Sequence, residues 1–221
     1  MRARPLVLLL GAAACAAPLR TLPPPAAGAT PGDASALATE SRQATRQSQR
    51  ETSADARGPL IEKALDAGQR CLQVAPTSAE CEYALALALG VQARERPSTA
   101  TQGLKVMVEL LQKASIADPG LDHAGPARVL ALVLLRTPGW PLGPGDAEAG
   151  LESARKAVGR FPDYAPNQLA LSEGLLTNGD RAGSKTAAER GLRLAQASTG
   201  EPDASEWVRD AEALLAGKRP P

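Results

Sequence analysis

Apolar and small residues along this chain fall into sets spaced by four, three and one, and the sets recur. Ala64, Gly68, Cys71 and Leu72 form the first; Met107, Leu111, Ala114 and Ser115 the second; Gly150, Ala154, Ala157 and Val158 the third; Ser184, Ala188, Gly191 and Leu192 the fourth. Steps of four and three keep residues on one face of an α-helix, so each set predicts a helix with a single buried stripe. In the first three sets a proline follows five residues after the third member. These are Pro76, Pro119 and Pro162, at a constant interval of 43 residues. A proline in that place ends a helix, because it lacks an N–H and disfavours helical backbone before it. Helices ended alike at a fixed period predict a repeat array, in which stacked helix pairs bury together what no pair can bury alone. Strand-like alternation does not recur, which leaves an all-α fold of about three and a half helix pairs.

Between the prolines lies a second pattern: Leu85, Ala86 and Leu89 after Pro76, and Leu171, Ser172 and Leu175 after Pro162. Together the two patterns resemble the second and first helices of the tetratricopeptide repeat over residues 58–197. The family's tryptophan is absent, with Glu82 and Gln168 in its place. The family's unit has 34 residues, so each interval carries nine more. Eighteen steps separate Leu89 from Met107, and Leu132 from Gly150, where the family has nine. Both insertions therefore fall between the first and second helix of a unit, at one edge of the array. The resemblance implies a helical-hairpin solenoid with expanded loops inside its repeats. It also implies a concave face lined by first helices: Tyr83, Leu87, Leu130, Val133, Leu134, Leu169, Glu173 and Leu176. That mostly apolar lining suits an apolar ligand or an amphipathic partner helix better than a peptide carboxylate.

The ends differ from the middle. Arg2 and Arg4 precede the apolar run Leu6 to Ala14 and then Cys15, a charged region, a hydrophobic region and a small-residue cleavage zone. The run resembles a bacterial lipobox, with Ala12 where leucine is more usual. Residues 1–14 are read as a lipoprotein signal peptide and Cys15 as the acylated N-terminus. The alternative is ordinary cleavage near Ala14 to Ala17, giving a soluble periplasmic or secreted protein. Ala16, by resemblance to sorted lipoproteins, directs the chain to the periplasmic face of the outer membrane. Residues 15–34 are read as a Pro/Ala-rich tether. Residues 35–57 form a polar segment, a frayed helix or atypical cap. Residues 58–200 carry the repeats, and 201–221 a capping helix and tail in which Trp207, Val208, Ala211, Leu214 and Leu215 form an amphipathic stripe with Trp207 in the core.

Charge and chemistry exclude more than they assign. With 25 basic and 24 acidic residues and 2% aromatics, there is no basic patch with stacking rings for nucleic acid. If Cys15 is lipidated, Cys71 and Cys81 remain, one on each side of Pro76. In an oxidising compartment they form a bridge, or else two buried thiols. The lone His123 sits in a turn, no nucleophile motif or metal set appears, and neither enzymatic activity nor a cofactor is expected. One loop stands out, from Thr137 through Pro-Gly-Trp-Pro to Asp146. Asp146 is a good N-cap, and the prolines and glycines stiffen the loop. Trp140 and Leu142 are either contacts for a ligand or partner, or a lid packed on neighbouring helices. The lipobox, the expanded units and this loop are together similar to the T-component lipoproteins of TRAP transporters. Those pair with a periplasmic solute-binding protein and have a hydrophobic passage. The rival partner is an envelope assembly factor, held by a scaffold without a passage.

Overall fold

The computed structural model describes residues 30–97 and 100–220. The expected signal peptide, Cys15 and residues 15–29 of the expected tether lie outside the described residues. Nine helices are described: α1 (Pro31–Arg50), α2 (Ala54–Val74), α3 (Ala79–Glu95), α4 (Ala100–Ala117), α5 (Gly125–Arg136), α6 (Ala147–Arg160), α7 (Ala165–Thr177), α8 (Arg181–Ala197) and α9 (Ala204–Leu215). The fold is all-α among these residues. Each helix packs on the next, so α1/α2, α3/α4, α5/α6 and α7/α8 form adjacent pairs, and α1 also meets α3, α5 meets α7 and α7 meets α9.

The stripes read from the sequence are the contact surfaces. In α2, α4, α6 and α8 the first, second and third members of every set are buried. Small residues dominate them, and small residues let helix axes approach closely. Each of the three prolines lies in the turn just after a second helix. Ser78, Asp146 and Asp180 cap α3, α6 and α8, accepting from the backbone N–H of Cys81, Ala149 and Gly183 at 3.4, 3.0 and 2.8 Å. Cys71 and Cys81 are joined in a disulfide, with Cα atoms 5.3 Å apart, tying the end of α2 to the start of α3. The Cys71 sulfur lies 3.0 Å from the Ala34 carbonyl oxygen, so the same point touches α1.

Helix α1 begins at Pro31, inside the segment read as tether, and runs unbroken to Arg50 through most of the segment read as a frayed helix or atypical cap. It buries Ala34, Ala38, Ser41, Ala44, Thr45 and Ser48. Apart from partly buried Leu37, small residues face its neighbours, so the stripe carries little hydrophobicity and reads as polar in sequence. Ser41 shows how a hydroxyl survives there, since its Oγ donates to the Ala64 carbonyl of α2 at 2.8 Å. The described residues thus form four helix pairs and a final helix, half a pair more than expected.

The second insertion also resolves differently from the first. Between Leu89 and Met107 the extra residues lengthen the helices, giving α3 17 residues and α4 18. Between Leu132 and Gly150 they form an irregular loop, because Pro138 stops α5 after 12 residues.

Candidate functional site

Three neighbouring half-open pockets lie among the helices α1, α3, α4, α5, α7 and α9. The largest, about 580 Å3, lies between α1, the start of α3, the turn before α5, and the segment 201–207. A second, about 430 Å3, is apolar and lies between α3, α4 and α5, lined by Leu87, Val91, Leu104, Met107, Val129 and Val133. A third, about 250 Å3, lies between α5, α7 and α9. Leu87 lines the first two, Arg128 and Trp207 the first and third, and Arg136 the second and third. Arg50, at the end of α1, pairs with Asp203, the residue before α9, at 3.0 Å, and Asp203 also lines the largest cavity. An exposed pair of this kind contributes little stability.

The wall before α5 has unusual backbone. Asp122, His123 and Ala124 are consecutive left-handed residues, at φ 50, 54 and 62°. Such backbone costs about 1–2 kcal/mol per residue in L-amino acids, so other contacts must hold it. Buried Arg128 donates to the carbonyl oxygens of Asp122 and His123 at 3.3 and 3.2 Å and to the Asp122 carboxylate at 3.1 Å. Asn167, fully buried in α7, donates to the His123 carbonyl at 3.0 Å and accepts from Arg128 at 3.1 Å. Tyr83 donates to Asp122 at 2.7 Å, and burial pushes its phenol well above the ordinary range. Gly125 makes room for this corner, since a Cβ there would meet the Tyr83 hydroxyl at 2.6 Å. The result presents the His123 ring stacked on Tyr164, centroids 4.5 Å apart, with Trp207 edge-on to Tyr164 at 5.6 Å. Burial also raises the Tyr164 phenol.

The residues expected on the concave face divide into three groups. Leu87 and Val133 line the cavities as expected, and Leu169 and Tyr83 line them with only small exposed surfaces. Leu130 and Leu134 do not: both are buried in the main core. Leu176 packs instead with Leu214 and Ala188 against α8 and α9. On α5 it is Val129, Leu132, Val133 and Arg136 that face the second cavity. Glu173 is 1% exposed and its carboxylate is held by Arg136, with Nε 2.9 Å from Oε1 and Nη2 2.7 Å from Oε2. It faces the third cavity as part of a closed ion pair. For Arg136, burial pulls the pKa down, and the hydrogen bonds and charge of Glu173, with Asp210, more than offset it.

The lining is more polar than the apolar groove expected from sequence. Arg42, Arg46, Glu80, Asp122, Arg128 and Glu201 all line the largest cavity. Sequence reasoning missed the α1 and 201–207 contributions because they come from outside the recognisable repeats. It placed His123 in a turn without reason to aim it inward. Trp207, expected in the core, is half-buried and does both: it packs with Leu214 and lines two cavities.

The 137–146 loop is ordered by its own backbone. Gly145 N donates to the Pro138 carbonyl at 2.8 Å and Asp146 N to the Leu134 carbonyl at 2.9 Å. It leaves Trp140 88% and Leu142 72% exposed, so they do not form a packed lid. Among the described residues no group of acidic, His or Cys side chains could hold a metal, and no helix is long and apolar enough to cross a membrane. Neither a family model nor a curated protein matches the chain.

Proposed function

We propose that this chain is a non-enzymatic envelope lipoprotein, a tetratricopeptide-like array that holds a small organic ligand in its first-helix cleft and meets a protein partner through the 137–146 loop. The observation that carries the reading is the group of neighbouring pockets along the first helices, which share Leu87, Arg128, Trp207 and Arg136 in their linings. Concave volumes of several hundred Å3 are of the size that takes a small organic molecule. The exposed Trp140 and Leu142, on a loop stiffened by hydrogen bonds, suit a protein contact, where aromatic anchors dominate affinity. Lipid on Cys15, at the periplasmic face of the outer membrane, supplies the anchor. These features favour the T-component role in a TRAP-type system, with a periplasmic binding protein as partner, over a scaffold for envelope assembly.

The test is native purification from the chain's own envelope, with and without Trp140→Ala and Leu142→Ala. A periplasmic solute-binding protein should co-purify with the unaltered chain and be lost from the double variant, and native mass spectrometry should show a bound small molecule. Recovery of outer-membrane assembly factors, with an empty cleft, would favour the rival. Replacing Cys15 with Ser should release the protein from membranes; continued membrane fractionation would remove that residue as the anchor.

A further inference from the structure

Helix α1 carries Arg42, Arg46 and Arg50 at intervals of four. Four residues rise about 6 Å and return to nearly the same face, so the three guanidiniums form a ladder along one wall of the cleft. The last rung reaches across to an oxyanion, the Asp203 carboxylate. The other two line the largest cavity and have no ion-pair or hydrogen-bond partner among the described residues, although Glu80 and Glu201 line it too.

Thr45 stands between them on the same strip and lines the same cavity. It is 3% exposed, and its Oγ1 has no hydrogen-bond partner. Thr177 and Thr186 within helices, and Thr137 at the end of α5, return their hydroxyl to the carbonyl four residues back, and Thr101 of α4 donates to the Leu142 carbonyl. Thr45 does neither. A buried hydroxyl without a partner is uncommon in a native fold and calls for a group that completes it.

Resting on the reading of the cleft as a ligand site, we propose that Arg42, Thr45 and Arg46 form a subsite for a phosphate monoester head. The flat or apolar body of that ligand lies against Tyr164 and Trp207. Two guanidiniums one turn apart set two positive charges beside one hydroxyl. A phosphate monoester brings close to two negative charges and three acceptor oxygens to one point at neutral pH, whereas a carboxylate brings one charge. Arginine's fork matches phosphate oxygens in pairs. The opposite wall supplies the ring surface, with His123 stacked on Tyr164 and Trp207 beside it.

Calorimetric titration of the full chain with phenyl phosphate, inorganic phosphate, phenylacetate and benzyl alcohol tests this. Phenyl phosphate should bind at least tenfold tighter than each of the other three. Arg42→Gln and Arg46→Gln should each weaken it about tenfold, and Thr45→Val, which keeps the shape, several-fold, with melting temperatures near that of the parent. Vesicles with and without phosphatidate identify the source: selective binding to phosphatidate, lost in Arg42→Gln, would place the monoester on a lipid and support the subsite. Phenylacetate or benzyl alcohol binding as tightly as phenyl phosphate would overturn the phosphate head and leave the cleft reading standing. No heat with any probe, or full binding in the arginine variants, would also overturn the proposal. The cleft reading itself falls only if the natively purified protein is empty.

Discussion

Removing Arg136 should damage the fold far more than neutralising its partner. Glu173 sits on α7 with 1% of its surface exposed, and its carboxylate is approached by Arg136 Nε at 2.9 and 3.2 Å and by Nη2 at 2.7 Å. The Arg136 side chain is 36% exposed and keeps the charge of Asp210 nearby. The two partners are therefore not symmetric. Arg136→Ala strands a carboxylate without compensation, a change that costs about 3–5 kcal/mol. Glu173→Gln leaves an amide oxygen for the guanidinium and a cation that still reaches water, at a cost of about 1 kcal/mol. Replacing both, as Arg136→Met with Glu173→Leu, removes the charges together and should be close to neutral.

Urea unfolding followed by far-UV circular dichroism measures all three. In a chain of this size 1 kcal/mol is worth about 2–4 °C in melting temperature, so Arg136→Ala should melt on the order of 10 °C lower. If Arg136→Ala costs no more than Glu173→Gln, or the double variant is as weak as Arg136→Ala, the pair is not closed and Glu173 is free to meet a ligand.

Three further outcomes follow from the same structure. Replacing Cys71 and Cys81 with alanine reopens a loop with a sequence separation of 10, which should lower stability by about 2.7 kcal/mol in the chain-entropy model; a loss below about 1 kcal/mol in urea titration would refute that. Glu82 is 5% exposed, its Oε2 has no partner, and burial raises its pKa. Glu82→Gln should therefore gain about 1 kcal/mol at pH 7, and the gain should vanish below the ordinary carboxylate range, where Glu82 is neutral in the folded and unfolded chain alike; a gain that persists in acid would point to packing instead. Trp140→Ala should change stability by less than about 0.5 kcal/mol, since the ring is 88% exposed, and a larger loss would mean that the loop is a structural lid.

The second helices were legible because their packing is local and periodic. Ala154 and Ala157 are fully buried where the spacing put them, and Ala114 and Ala188 likewise. The disulfide was legible for a related reason, since a turn at Pro76 must bring Cys71 and Cys81 together. The cleft was less so. Ser41 and Thr45 look like surface residues in sequence, and only the neighbouring helices make them interior. Arg50 and Asp203 are separated by 153 residues, and no local pattern joins them. The first helices were half legible: Leu87 and Val133 reach the cavities, whereas Leu130 and Leu134 fill the core. A projection from two matched helices cannot fix how the third is rotated.

The third helix pair shows why. The interval of 43 residues is constant, yet α3 and α7 begin three residues after their prolines and α5 begins six after Pro119. The left-handed run Asp122–Ala124 occupies the place of the missing helical turn. Arg128 and Asn167 then hold the exposed carbonyls. At the other end of α5, Pro138 ends the helix, whereas the matching stretch Val91–Glu95 contains no proline and stays helical. An unchanged period thus conceals two local departures on one helix. One turns His123 into the cleft, and the other carries Trp140 into solvent. Breaks of this kind lower stability locally and persist where something else is gained. Both candidate surfaces lie at the two ends of α5, where the chain stops obeying its own repeat.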